Sequence, residues 1–492
     1  MYRKETKEQI EFHDFILPFS GTLNRNNRWI KLAEMIPWDE FEEKYAKQFS
    51  GSGLGAPAKS FRIALGSLII KEKMDIPDEE VVEQIRENHY LQYFIGKEEY
   101  RDELPFDSSM MVHFRKRITA EMLNEINERI HDQLVKKNFK PDVAEKTEAT
   151  TEPTNKGKLL VDATCAPADI QYPCDLSLLN EAREKTELII DILHKSLRKK
   201  EKKVRTYRIQ ARKEYLKVSK KRKKSEREIR KAIRKQLGYV KRNLAYINEI
   251  GVKTTLKTLN KKRYRNLLVC TEVYRQQQEM YNDKTHRIED RIVSISQPHV
   301  RPIVRGKAGA AVEFGAKMTI SVVDGFTFIE KISCDNYNEG TDLIEQIENY
   351  RKRFGYYPES VHIDKIYQTR KNRQFCKKHT IRISGPQLGR PPKEKEEQRD
   401  KKRQRQQDEK DRIPVEGKFG NAKRKYGLNR IMAKGKETSE TTIAVIILIM
   451  NLEKLRVRFL FVPIYFQCCN IKKAEIKKFF CVYTEYVERK VA

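Results

Sequence analysis

Between Lys195 and Lys235 the chain carries 21 Lys or Arg against 4 Asp or Glu. No sheet core can bury that much charge, and the stretch suits a solvated helix or helical hairpin. Tyr207, Ile209, Tyr215, Leu216, Val218, Ile229 and Ile233 interrupt it, so one face can pack while the other stays wet. Basic helical patterning extends from about residue 176 to 291, with apolar strand-like runs on either side, at Lys158–Thr164 and from Ala311 onward. Any sheet in this chain must therefore join strands separated by a long basic stretch. That stretch is either an insertion between the first and second strands or an extension of their connection.

Residues 1–139 read as a helical N-terminal domain of the size of a DNA-binding module. Phe61, Ala64, Leu65, Leu68 and Ile69 recur at helical spacing after Pro57, and Asp78, Asp107 and Thr119 can cap further helices. Residues 140–157 hold one Val and no other large apolar side chain, the composition of a linker. Further strands are expected at Thr327–Ser333, Ser360–Asp364 and Ile381–Ser384, with Asp324 and Gly325 as a hairpin turn and helices at Asn338–Phe354 and Asn372–His379. Residues 386–411 read as a mobile loop or exposed helix. Asp411 can cap a helix through Glu416 with Pro414 in its first turn, and Thr438 or Ser439 a last core helix, Glu440–Leu455. The tail, 457–492, fits no pattern.

The chain has 101 Lys+Arg against 70 Asp+Glu, a formal charge of +31. That excess favours a polyanionic partner, nucleic acid above all. The eight cysteines form no CxxC pair and no His/Cys zinc spacing, so they read as reduced thiols of a cytoplasmic protein. The start MYRKETKEQ is no signal peptide, and the longest apolar run, Ile443–Met450, falls far short of the ~20 residues that span a bilayer. No membrane partner is expected.

Three acids stand in segments that each look built to present one carboxylate: Asp162 in KLLVDATC, Asp364 in ESVHIDKIY and Glu416 in RIPVEGKFGNAKRKYGLNR. Singly, each has a plain structural explanation, as a turn cap, a strand end or a partner of Lys423. Together they mean more. Two lie at the ends of apolar strands, where the active sites of such sheets tend to sit. The third shares a helical stripe with Arg412 and Lys423, at i−4 and i+7. Oxygen ligands of this kind hold Mg2+, and a pair of ions can clamp the attacking and leaving oxygens of a phosphoryl transfer. Arg412 and Lys423 can hold the phosphates of the strand being cut. Gly417 and Gly420 leave room for a nucleic-acid backbone or for close packing. Thr164 shares a strand face with Asp162, and His362 is expected on the face of Asp364 in a core or supporting role.

At these segments the chain resembles the bacterial insertion-sequence transposases of the DDE type. VDATCAPADIQYPCDLSLLNEAR resembles their first-Asp block, and VHIDKIYQTRKNRQFC the second, with Tyr367 three residues after the Asp. RIPVEGKFGNAKRKYGLNRI resembles the third, its Arg-x3-Glu-x6-Lys signature met by Arg412, Glu416 and Lys423. GKAGAAVEFGAKMTISVVDGF and CDNYNEGTDL resemble the segments between. The likeness covers about residues 10–456 and departs at Glu409, where the family often has Tyr. It implies an α/β, ribonuclease-H-like mixed sheet in a catalytic domain, 158–456, with the basic helical insertion at about 176–291. It further implies Asp162, Asp364 and Glu416 as catalytic ligands of two Mg2+ ions, replaceable by Mn2+, with Arg412, Lys423 and Tyr367 at the DNA. Such a transposase would bind terminal inverted repeats, cleave the element ends and join the 3′-OH ends to target DNA, as a homodimer or larger assembly in the bacterial nucleoid. Two alternatives stay open on the residues: a metal-dependent nuclease without strand transfer, and a decayed, non-catalytic DNA-binding copy.

Overall fold

Asn27 and Ser60 start helices in the N-terminal part, each side-chain oxygen accepting a first-turn amide. The helices are α1 (Arg28–Met35), α2 (Trp38–Ala46), α3 (Phe61–Met74), α4 (Asp78–Glu87), α5 (His89–Phe94), α6 (Met110–Arg117) and α7 (Ala120–Asn138). Trp38 packs its ring edge-on against Phe94 and Phe61 in their shared core. Pro77 takes the cap of α4, and Asp78, in the first turn, pairs instead with Arg115. The structure, a computed structural model, describes residues 11, 13–18, 21–49, 57–138, 155–197, 202–304, 312–385 and 395–469; most of the expected linker and the end of the tail lie outside them.

The remaining elements are β1 (Lys158–Pro167), α8 (Asp175–Lys195), α9 (Arg208–Ser219), α10 (Glu226–Thr254), α11 (Lys261–Asn282), β2 (Arg301–Val304), β3 (Val312–Val323), β4 (Phe326–Ser333), α12 (Leu343–Phe354), β5 (Ser360–His362), α13 (Arg370–Lys378), β6 (Arg382–Ile383), α14 (Lys395–Lys425) and α15 (Lys436–Cys469). They form two units: Met1–Pro167, Lys317–Ser333 and Tyr337–Ala492 in one, and Ala168–Ala316 with Cys334–Asn336 in the other.

In the first unit the sheet is mixed. β1 lies between β3 and β5, β6 follows β5, and β4 pairs antiparallel with Lys317–Val323. β1, β5 and β6 run parallel. Asp324 and Gly325 turn the β3–β4 hairpin with positive φ, 49° and 73°, as their sequence signature requires. The middle of α15 is apolar all round because it is buried all round: Ile443 to Met450 are all buried, and the helix is packed by α3, α6, α7 and β4. It begins at Lys436, ahead of the expected Thr438 or Ser439 cap, and runs past Leu455 into the tail.

The second unit holds α8 to α11 and β2, which pairs with Val312–Gly315 of β3 and was not expected from the sequence. Leu179, Ala182, Val240, Cys270 and Val273 fill one part of its core, and Ile189, Ile190, Leu193, Ile247 and Ile250 another. Ser225 and Glu228 form a reciprocal capping box at the start of α10. The predicted wet face is present: Arg212, Lys213, Lys217, Arg227, Lys231 and Arg234 are among its exposed cations.

Candidate catalytic site

β1 is covered on both edges and both faces, which is why KLLVDATC is an almost unbroken apolar run. Its parallel register with β5 ends at Leu160 opposite His362. Two residues further along each chain stand Asp162 and Asp364. Asp162 thus lies inside β1, which runs on to Pro167, and not at a strand end as the sequence suggested, while Asp364 follows the end of β5. Acids 202 residues apart in sequence nevertheless stand each two residues past the last paired position of these parallel neighbours.

β5 stops at His362 rather than continuing to Asp364. The backbone turns away there, and Asp364 caps the 3-10 turn Lys365–Tyr367, its Oδ1 accepting the Lys365 amide at 2.7 Å. His362 therefore does not share a face with it: His362 is fully buried and Asp364 exposed.

The third segment is also reshaped. α14 is one helix of 31 residues, so Asp411 and Pro414 lie within it, not at its start. Its first part has no apolar period, but Arg, Lys, Gln and Glu are good helix formers. Gln404–Asp408 and Gln407–Asp411 hydrogen bonds at i,i+4 support it. α14 packs on β1 and β5, and Arg412 brings Nη1 to 3.6 Å from Asp364 Oδ1. Glu416 is exposed one turn on, and Lys423 lies half-buried two turns beyond that.

Burial pushes the Asp162 carboxyl up to about 6; the Ala163 amide and Arg412 pull it down, while Glu339 and Asp364 push it further up. The charges of Glu339 and Asp162 also reach Tyr367. Tyr367 is fully buried, so it reaches any role at DNA only through what it supports. Glu339 belongs to the 3-10 turn Glu339–Thr341, and Lys317 Nζ on β3 lies 3.6 Å from its carboxylate. No strand end or helical stripe marks Glu339 in the sequence.

The model of the transposase DDE domain matches residues 361–453, from β5 through α14 into α15, and that of the transposase domain (DUF772) matches 18–117, the N-terminal helices. The chain belongs to the insertion-sequence DDE transposases. The DDE match includes Asp364 and Glu416 and begins after Asp162. A relative from Rhizobium meliloti, described as an uncharacterized protein ORF8 in the nfe locus, is 33% identical over 160 residues, 32% of this chain and 71% of the relative. No solved structure matches the transposase. Among its described residues no helix is long and apolar enough to cross a membrane.

Membership of the DDE group implies divalent-metal dependence. The donors here suit a hard cation: carboxylate oxygens, in a setting where Glu339 and Asp364 disfavour the charge of Asp162. Asp162, Asp364 and Glu416 do not close into a ready-made cluster. Among the described residues the metal-type side chains that gather within 4.8 Å are His362, Asp408 and Asp411. That group reads as an ionic clasp. His362 presents Nδ1 to Asp408 at 3.8 Å and Nε2 to Asp411 at 3.9 Å, two different ring atoms that cannot both bind one ion. Each carboxylate already has a cation, Arg382 on Asp408 at 2.8 Å and Lys158 on Asp411 at 2.6 Å. The clasp fastens α14 to β1, β5 and β6 one turn ahead of Arg412 and Glu416.

Proposed function

We propose that this transposase binds the terminal inverted repeats of its element, cleaves the ends and joins the freed 3′-OH to target DNA, with a ribonuclease-H-like sheet presenting Asp162, Asp364 and Glu416 to Mg2+ or Mn2+. The observation that carries the reading is that Asp162 and Asp364 each stand two residues past the last paired position of the parallel neighbours β1 and β5, with Arg412 beside Asp364 and Glu416 on the next turn. Divalent ions held there would supply charge stabilisation for the attacking and leaving oxygens of an in-line phosphoryl transfer. Arg412 can exchange Asp364 for a DNA phosphate, to which its planar fork is well matched. Lys423 adds a cation on the same stripe, and Tyr367 supports the floor beneath Asp162.

The exposed cations of α9 and α10 suit a phosphate backbone, and each phosphate they neutralise makes binding more salt-dependent. Bringing two element ends together calls for a homodimer or larger assembly on nucleoid DNA. The test uses purified protein, Mg2+ and labelled DNA carrying the repeats that flank its own locus. Asp162→Asn, Asp364→Asn and Glu416→Gln should each abolish cleavage while retaining a mobility shift on the ends; normal cutting by any one of them sinks the assignment. Pre-cleaved ends, offered with target DNA, separate joining from plain nuclease activity.

A further inference from the structure

The turn Glu339–Thr341 joins the middle of β3 to the turn that follows β5. Glu339 reaches Lys317 on β3. Gly340 lies against the Ile366 carbonyl, in the turn that follows Asp364 and β5. β1, with Asp162, is the strand between β3 and β5. The turn is fixed in place: Asn372, buried, donates from Nδ2 to the Gly340 and Tyr367 carbonyls, both at 2.7 Å. Glu339 is therefore held beside Asp162 by backbone contacts on one side and a strand lysine on the other. The Tyr367 side chain, 0% exposed, lies within the field of both Glu339 and Asp162, which places these two acids around one buried hydroxyl.

We propose that Glu339 is a fourth carboxylate of the metal centre, sharing a divalent ion with Asp162, and that Lys317 occupies it when the ion is absent. This rests on the reading of Asp162 and Asp364 as metal ligands. A lysine is a fitting placeholder: one flexible positive charge, 3.6 Å away, that an ion of higher charge displaces. The alternative is a purely structural Glu339–Lys317 ion pair that holds the turn.

The experiment measures Mn2+ binding to the full chain without DNA, by the loss of the free-ion electron paramagnetic resonance signal. Glu339→Gln should weaken binding by about 10-fold or more, with an unchanged circular dichroism spectrum. Lys317→Met, which removes the placeholder, should leave affinity unchanged or raise it. If Lys317→Met weakens binding as much as Glu339→Gln does, the pair is structural and the proposal fails. If Glu339→Gln binds like wild type while Asp162→Asn does not, Glu339 is no ligand and the catalytic reading stands. If Asp162→Asn also binds like wild type, both fail. Should Glu339→Gln misfold, Glu339→Asp serves in its place: a ligand shortened by one methylene predicts weakened Mn2+ binding, and wild-type affinity overturns the proposal.

Discussion

Replacing Gly340 by Ala should damage the site through a contact that can be measured. A Cβ built on Gly340 lies 2.4 Å from the Ile366 carbonyl oxygen and 3.3 Å from the Ile366 carbonyl carbon. Real Cβ contacts do not fall below 3.0 Å. The two turns must then separate by about 0.6 Å, more than the ~0.5 Å within which catalytic groups need to be held. Asn372 cannot follow both carbonyls, so the shift either breaks one of its hydrogen bonds or passes along Lys365–Tyr367 to Asp364. Overpacking of this kind costs about 1–3 kcal/mol, and a misplacement approaching ~1 Å can cost ~100-fold in rate. We expect single-turnover, metal-dependent cleavage of a labelled element end to fall about 10- to 100-fold. Gly355→Ala is the control. Gly355 ends α12 at φ +83° with nothing within 4 Å of its would-be Cβ, so it should lose stability in urea without a matching loss of rate. Cleavage by Gly340→Ala within twofold of wild type would refute the claim that this turn sets the position of Asp364.

Two further outcomes can be checked without DNA. Arg353 bonds Glu330, whose side chain is 1% exposed, and Glu128; Arg353→Met leaves Glu330 with only the neutral donors Ser321 and Asn349 and should cost about 3–5 kcal/mol in urea unfolding, most of it recovered when Glu330→Gln is added. In the second unit burial pushes Asp175 up, but Arg291, Gln277 and His286 outweigh it and leave the carboxyl lowered; Arg208 and Lys203 do the same for Asp191. Groups depressed in the folded state stabilise it above their unfolded value, near ~3.9, and lose that contribution as pH falls through the folded value. The combined Asp175→Asn, Asp191→Asn variant should therefore unfold more readily than wild type at pH 7 and match it once both carboxyls are protonated, as followed by circular dichroism; a stability gap that persists in acid would contradict this account.

Asp162, Asp364 and Glu416 stand out in the sequence because apolar runs and a helical stripe point at them. The β3–β4 hairpin was legible because Asp324-Gly325 is a local signal that tertiary contacts did not override. The length of α14 was not, since its first part buries no stripe and leans on i,i+4 polar pairs that resemble a solvated loop in composition. The two-residue strand β6 and the end of β5 were misjudged for another reason: strand ends are set by where a neighbour stops. His362 illustrates the limit. Its alternation with Asp364 predicted a shared face, and a backbone turn between the two placed one in the core and the other at the surface. Glu339 had no local signal at all; its position follows from the contacts of Lys317, Gly340 and Asn372.

The register that sets Leu160 opposite His362 also orders events during synthesis. Asp364 leaves the ribosome 202 residues after Asp162, and Glu416 another 52 after that. At ~5–20 residues per second, the first interval alone is roughly 10–40 s. During that time β1 has no β5 to pair with, while α8 to α11 can already close their own core around Ala182 and Ile190. Each doubling of a flexible loop adds only ~0.6 kcal/mol to the cost of closing it, so the late pairing is thermodynamically mild. A nascent chain therefore exposes its basic helices well before β5 and Asp364 exist to pair beside β1.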